Sequence, residues 1–226
     1  MRLMDDSPST ATCAICGTES SVWDNHRLPE PVEPPDFDTR PGEPLRSTIG
    51  RWVQVCPACG YAAEQISTSA AGVDAIVRSE PYQRLRNDPE IPEQARGFVC
   101  YAFILDKVRQ HADAGWSFLH AAWMGDDLNA SGAAIWCRCR AIEMWQRAKA
   151  TGQSFGDDLG SEFALVTDVY RRAGQFEHAT VACGEGLDVD DIPPAVEAIL
   201  RRQMTLIQAR DQDCHSFSEI VRLQPD

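Results

Sequence analysis

The hydrophobic pattern of the chain changes character near Ala63. Before it, apolar residues are sparse, and the clearest ordered stretch is the alternating run Trp52-Val53-Gln54-Val55, which reads as a strand. Beyond it, apolar groups recur at helical spacing, and no strand pattern is convincing. The spacing predicts helices over about 70–78, 81–87, 92–113, 116–125, 130–150, 160–173, 175–187, 193–211 and 214–222. Pro92 and Pro193-Pro194 mark helix starts, while Gly115, Gly152 and Gly174 are placed near helix ends.

One helical segment is more specific. Phe163, Val166, Tyr170, Gly174, Phe176, Ala179, Cys183 and Leu187 have the spacing of a tetratricopeptide repeat. The large apolar groups fall on the first helix, the glycine marks the turn, and small Ala179 sits where two helices cross closely. The stretch from Phe118 to Trp123, followed by Ala133 to Trp145, reads as a degenerate earlier copy. Two copies are too few to close a solenoid, so flanking helices and the N-terminal module are expected to cover its ends. Trp116, Leu119 and Trp123 share one face, as do Ile135, Trp136, Ile142 and Trp145 approximately. These are read mainly as core, with one or two available to line a groove.

The cysteines decide what the N-terminal module is. Cys13-Ala14-Ile15-Cys16-Gly17 and Cys56-Pro57-Ala58-Cys59-Gly60 are two copies of C-x-x-C-G. Two residues between thiols let both sulfurs face one ion, and the glycine takes the positive φ that turns the chain back. Two such turns supply four soft anionic ligands, a full tetrahedral shell for one structural Zn2+ held by Cys13, Cys16, Cys56 and Cys59. A redox dithiol would need only one copy, at a helix start in a βαβ unit. Of the other thiols, Cys100, Cys137, Cys139, Cys183 and Cys214 are read as small buried hydrophobes. Cys214-His215 is a conceivable second metal site, without partners at metal spacing.

Between Cys16 and Cys56 lie 39 residues, and His26 to Thr48 contains six prolines and little apolar material. Such a segment cannot build a core, so it is either a solvated excursion or pinned against something else. His26, Asp36, Asp38, Arg40 and Arg46 could converge there as a polar ligand or partner site. The plainer expectation is an extended loop with surface charges.

Charge narrows the classes further. The net charge is −13, no basic stripe is present, and nucleic acid is disfavoured as a partner. The Arg138/Arg140/Arg147 and Arg171/Arg172/Arg201/Arg202 clusters read as solvated helix faces. The longest apolar run, Phe98–Leu105, is far too short for a membrane helix, and the acidic start MRLMDDSPST is unlike a signal peptide. The expected location is cytoplasmic.

The chain resembles an uncharacterised bacterial family, a domain of unknown function, that joins paired C-x-x-C knuckles to tetratricopeptide-like helices. The matching residues are Cys13/Cys16, VQVCPACGYAA (53–63), LHAAWMGDD (119–127) and DVYRRAGQFEHA (168–179); DFDTRP (36–41) and Arg46-Ser47-Thr48 look like a subgroup of it. The resemblance implies architecture and zinc, and supplies no catalytic residues.

The expected fold is therefore mostly α: a small β zinc ribbon (1–65) with a long Pro-rich loop, packed on a tetratricopeptide-like helical array (66–226). The expected function is a non-catalytic adaptor or regulatory protein binding a protein or peptide. The alternative is a small-ligand binder or enzyme using the 26–48 loop.

Overall fold

A computed structural model describes residues 8–23 and 28–223. Two short hairpins form the N-terminal module. Strand β1 (Ser9–Thr12) pairs antiparallel with β2 (Glu19–Val22), and β3 (Gln54–Val55) with β4 (Ala62–Ala63). Each hairpin closes around one C-x-x-C turn. Gly17 and Gly60 both have positive φ (73° and 77°), the conformation the sequence pattern calls for.

The remainder is helical. After α1 (Val73–Arg78) and α2 (Glu80–Arg86) come α3 (Glu93–Lys107), α4 (His111–Asp127) and α5 (Ser131–Ala150). Then follow α6 (Leu159–Arg172), α7 (Phe176–Leu187), α8 (Pro194–Gln208) and α9 (Ser218–Leu223). Consecutive helices from α3 onward pack against one another. Asp158 caps α6, its carboxylate accepting from Ser161 N–H at 2.9 Å. Among the described residues, no helix is long and apolar enough to cross a membrane.

Five helices end in the same way. The N–H two residues past the cap bonds back to a carbonyl five residues earlier: Gln110 to Leu105, Ala130 to Gly125, Gln153 to Ala148, Gln175 to Tyr170 and Asp211 to Leu206, all at 2.8–2.9 Å. The left-handed residue is Gly152 or Gly174 in two of these turns, but Arg109, Asn129 and Arg210 in the others. This explains the largest misplaced boundary; the ends expected at 211 and 214 also move, to 208 and 218. The expected break between 92–113 and 116–125 falls instead at 108–110, where Arg109 gives no glycine signal. Gly115, expected at a helix end, lies buried inside α4. A Cβ there would come within 2.2 Å of the Trp145 indole, so this glycine permits a close helix crossing.

Three apolar clusters hold these elements together. The largest joins α3, α4, α5 and α6 around Phe98, Leu119, Trp123, Met144 and Trp145. A second fuses the N-terminal module to α1–α3: Cys13, Val22, Cys56 and Tyr61 pack with Val77, Tyr82, Cys100 and Ile104. Tyr82 also donates to the Gly60 carbonyl at 2.7 Å, bracing the second knuckle from below. A third lies among α6, α7 and α8, and includes Phe37 from the Pro-rich loop. The ribbon is thus packed on the helices, and the hairpin read around Gly174 is α6–α7, with Ala179 and Cys183 wholly buried.

The glycine geometry has a direct consequence for stability. Gly115→Ala should destabilise the fold by about 1–3 kcal/mol through overpacking. Gly132→Ala, at a helical position with open space around the added carbon, should stabilise it by roughly 0.5–1 kcal/mol. Urea denaturation of both variants checks the pair; equal effects would contradict the packing.

Candidate functional site

The four knuckle sulfurs come together. Cys13, Cys16, Cys56 and Cys59 Sγ all lie within 4.8 Å of one another, with Cys13–Cys59 at 3.7 Å and Cys16–Cys56 at 3.6 Å. A tetrahedron of metal–sulfur bonds near 2.3 Å has edges of about 3.8 Å, so the spacing suits a metal ion and is far too long for a disulfide. The two turns are built alike. Gly17 N–H returns to the Cys13 carbonyl and Gly60 N–H to that of Cys56, both at 2.9 Å. Cys13 N–H bonds Thr18 O (2.9 Å) and Cys56 N–H bonds Tyr61 O (2.8 Å). Ile15 N–H is directed at Cys13 Sγ (3.4 Å), as donors that stabilise thiolates should be. The donor set and spacing fit a tetrahedral ion with every position filled by protein.

The thiols differ in how readily they ionise. Burial raises Cys13 above the ordinary thiol value and pushes Cys59 up to about 12, whereas hydrogen bonds from Thr18 bring Cys16 down to about 6. Cys13 and Cys59 therefore hold their protons at pH 7 until a cation arrives, and binding must expel at least those two. Apparent metal affinity should accordingly rise with pH, by at least roughly a hundredfold per unit around neutrality. Competition with a chromophoric chelator measures this, and an affinity independent of pH would refute it.

The loop residues named from the sequence do not form an open site. His26 lies outside the described residues. Asp36, Asp38, Arg40 and Arg46 do converge, but on the helices and largely away from water. Residues 35–37 pair with 215–217, Phe37 N–H bonding His215 O (2.8 Å) and Phe217 N–H bonding Pro35 O (2.9 Å). This pairing holds the loop down, and Asp38 and Arg40 enter the interior with 0% and 1% exposure. The expectation of an extended, surface-charged loop is corrected: the prolines stiffen a segment that is pinned.

Asp38 is the centre of this arrangement. Its Oδ2 accepts from Trp123 Nε1 and from Arg172, each at 2.9 Å, with Arg138 at 4.0 Å. Arg172 and Arg138 also grip Asp126 Oδ2, at 2.7 and 2.5 Å. Arg40 pairs with Asp127, and Arg46 bridges Asp127 (3.3 Å) and Asp36 (3.7 Å). Behind this lies a second buried pair, Arg171–Asp168 at 2.7 Å, whose guanidinium also reaches the Asp211 carbonyl at 2.8 Å. Arg138, Arg171 and Arg172 are therefore buried, against the expectation of solvated faces. Only Arg140, Arg147 and Arg201 of those clusters make exposed pairs, with Glu143, Asp106 and Glu197. Burial acts to raise the Asp38 carboxyl, yet Arg172 and Arg138, helped by the Trp123 N–H, outweigh it and hold it below the usual carboxylate range. Asp168 goes the other way: burial raises it despite Arg171.

The remaining thiols divide. Cys100, Cys137 and Cys183 are buried as expected, but Cys139 is only half-buried and accepts from Gln175, and Cys214 is exposed. Among the described residues, Cys214-His215 joins no metal-ligating cluster. His215 instead lies between Glu219 (2.7 Å) and Asp211 (3.2 Å).

A cleft of about 1040 Å3 opens between β1 and the α3–α4 pair, with Trp52, Tyr101, Trp116 and His120 among its lining. His120 is boxed by the rings of Trp52, Phe98, Trp116 and Trp123, with centroids 4.8–6.2 Å away. Burial lowers its pKa to about 4, a shift only partly opposed by the Asp38 charge, so the ring is neutral at pH 7. Sequence reading missed Trp123 and Arg172 as partners of Asp38, and Asp126 and Asp127 as the carboxylates that share its arginines. Their one signal was helical spacing: Asp126 follows Trp123 by three positions and so shares its buried face.

No family model, curated protein or solved structure matches the chain.

Removing the Asp38 charge should leave two guanidinium groups under-compensated in the interior. Asp38→Asn is expected to cost about 3–5 kcal/mol at pH 7. Because Asp38 is depressed in the folded state, its contribution is complete above the ordinary carboxylate range and is lost as pH falls through its folded value. Asp38→Asn should therefore also flatten the acid limb of the stability–pH curve. Urea midpoints measured from neutral to acid pH check both, and a parallel, undisplaced curve would contradict the network.

Proposed function

We propose that the protein is a non-catalytic, zinc-stabilised helical adaptor or regulatory protein that binds a protein or peptide partner in the cytoplasm. The ion is Zn2+, held by Cys13, Cys16, Cys56 and Cys59. It works as a cross-link: four sulfurs fill its shell, so it fastens two distant turns and leaves the helices to bind. The two hairpins α4–α5 and α6–α7 act as degenerate tetratricopeptide-like repeats, in keeping with the family the sequence resembles.

The observation that carries this reading is the fate of the polar loop residues. Asp38 and Arg40 are buried in ion pairs with α4, α5 and α6, which gives the 28–48 segment a structural task. The net charge of −13 suits a basic partner.

Elemental analysis of freshly purified, reduced protein should find one zinc per chain. Chelation should lower the melting midpoint of the helical circular dichroism signal, because the ribbon shares a core with α1–α3. Affinity capture from native cytoplasm, with metal-stripped protein as control, should recover a partner. Recovery of nothing above that control would remove the adaptor reading, and a metal-free native protein would remove the zinc.

A further inference from the structure

The cleft beside the ribbon has an unusual charge pattern for this chain. None of its described lining residues is an Arg or Lys, although the chain contains 21 of them. Its anionic groups are Glu64, just past β4, and Asp113, in the first turn of α4. Neither forms an ion pair among the described residues. Both lie close enough to Tyr101 to reinforce the effect of burial in keeping its phenol protonated.

Between these carboxylates the walls are aromatic. The indole N–H groups of Trp52 and Trp116 are already committed to Thr48 Oγ1 (3.0 Å) and the Phe155 carbonyl (2.9 Å), so their contribution to the cleft is ring surface. Among the described residues, the Tyr101 hydroxyl and the His120 ring nitrogens make no hydrogen bond. Carboxylates and aromatic faces, with a neutral histidine and no cation among the described lining residues, are the chemistry that holds an ammonium or guanidinium group.

The facing wall is backbone. Ser9 to Ala14 line the cleft, and β2 is the one strand paired with β1 among the described residues. Cys13 N–H turns toward β2, to Thr18 O, whereas Ala14 N–H turns away, to Ile66 O at 2.8 Å. By strand alternation, Thr10 and Thr12 present their N–H groups on that same outer edge. An edge of this kind accepts an added strand. The volume, about 1040 Å3, is too large for one side chain and suits several residues of extended peptide.

We propose that this cleft docks an extended basic segment of a partner protein, laid along β1 with a Lys or Arg held between Glu64 and Asp113 against the Trp52, Tyr101 and Trp116 rings. The assignment rests on the adaptor reading and gives it a location and a ligand chemistry.

The probe is a blocked peptide of alternating Lys and Val, titrated into the intact, metal-loaded protein at low salt and followed by calorimetry and tryptophan fluorescence. It should bind saturably, while the Glu–Val counterpart should not. The double variant Glu64→Gln/Asp113→Asn replaces two exposed side chains with isosteres. It should keep its melting temperature and weaken binding roughly tenfold or more. Thr10→Pro, which deletes one outer-edge N–H and leaves the β1–β2 ladder intact, should weaken it as well. Unchanged affinity in either variant, equal binding of the two peptides, or no binding at millimolar concentration would overturn the proposal. Tetramethylammonium binding as tightly as the peptide would overturn it too, in favour of a small organic cation. If the peptide fails while a captured partner still binds Glu64→Gln/Asp113→Asn, the docking site falls and the adaptor function stands.

Discussion

A carboxylate with no exposure to water is tolerated only where cations and N–H donors take the place of solvent. Around Asp38 these come from three consecutive helices: Trp123 of α4, Arg138 of α5 and Arg172 of α6. The requirement fixes more than one side chain. It sets the register of α6 against α4, because Arg172 must reach both Asp38 and Asp126. It also commits the Pro-rich loop to one path over the helices. Replacing such a network by apolar groups often leaves stability unchanged or improved, so its value here lies in specifying a single arrangement of loop and helices.

The metal centre and this network divide the work of holding one long excursion. The thiols bring Cys16 and Cys56 to 3.6 Å across 39 intervening residues, and Asp38 anchors the middle of that span on α4, α5 and α6. His120 lies between the two regions. It feels the Asp38 charge on one side and opens to the cleft beside β1 on the other, with the Trp123 ring 4.8 Å away. Loop anchor and cleft wall are therefore packed against the same aromatic group.

Much of this was legible from residue patterns, for identifiable reasons. Paired C-x-x-C-G turns carry their ligand geometry in local spacing, and Gly174 with Ala179 carries the α6–α7 crossing, so both were recovered. The break between α3 and α4 was hidden because Arg109 occupies a left-handed turn that glycine usually announces. Gly115 misled for the converse reason, since close packing against Trp145 asks for the same residue as a helix end does. The burial of Arg138, Arg171 and Arg172 was also out of reach: a buried arginine and a solvated one look alike until the distant carboxylate is placed. DFDTRP (36–41), LHAAWMGDD (119–127) and DVYRRAGQFEHA (168–179) each stand out as distinctive stretches. What could not be read was that Asp38, Asp126 and Arg172 within them meet.

The three side-chain-bearing left-handed turns have a practical corollary. Arg109, Asn129 and Arg210 each adopt φ between 54° and 65°, a conformation costing roughly 1 kcal/mol or more for residues with a Cβ. Arg210 recovers part of that by lying over the Phe176 ring at 4.6 Å. The fold is thus held somewhat below the robustness its backbone would allow. The ends at Asn129 and Arg210 involve no residue of the sulfur cluster or of the cleft lining, which makes them natural places to harden the molecule for crystallisation without disturbing either.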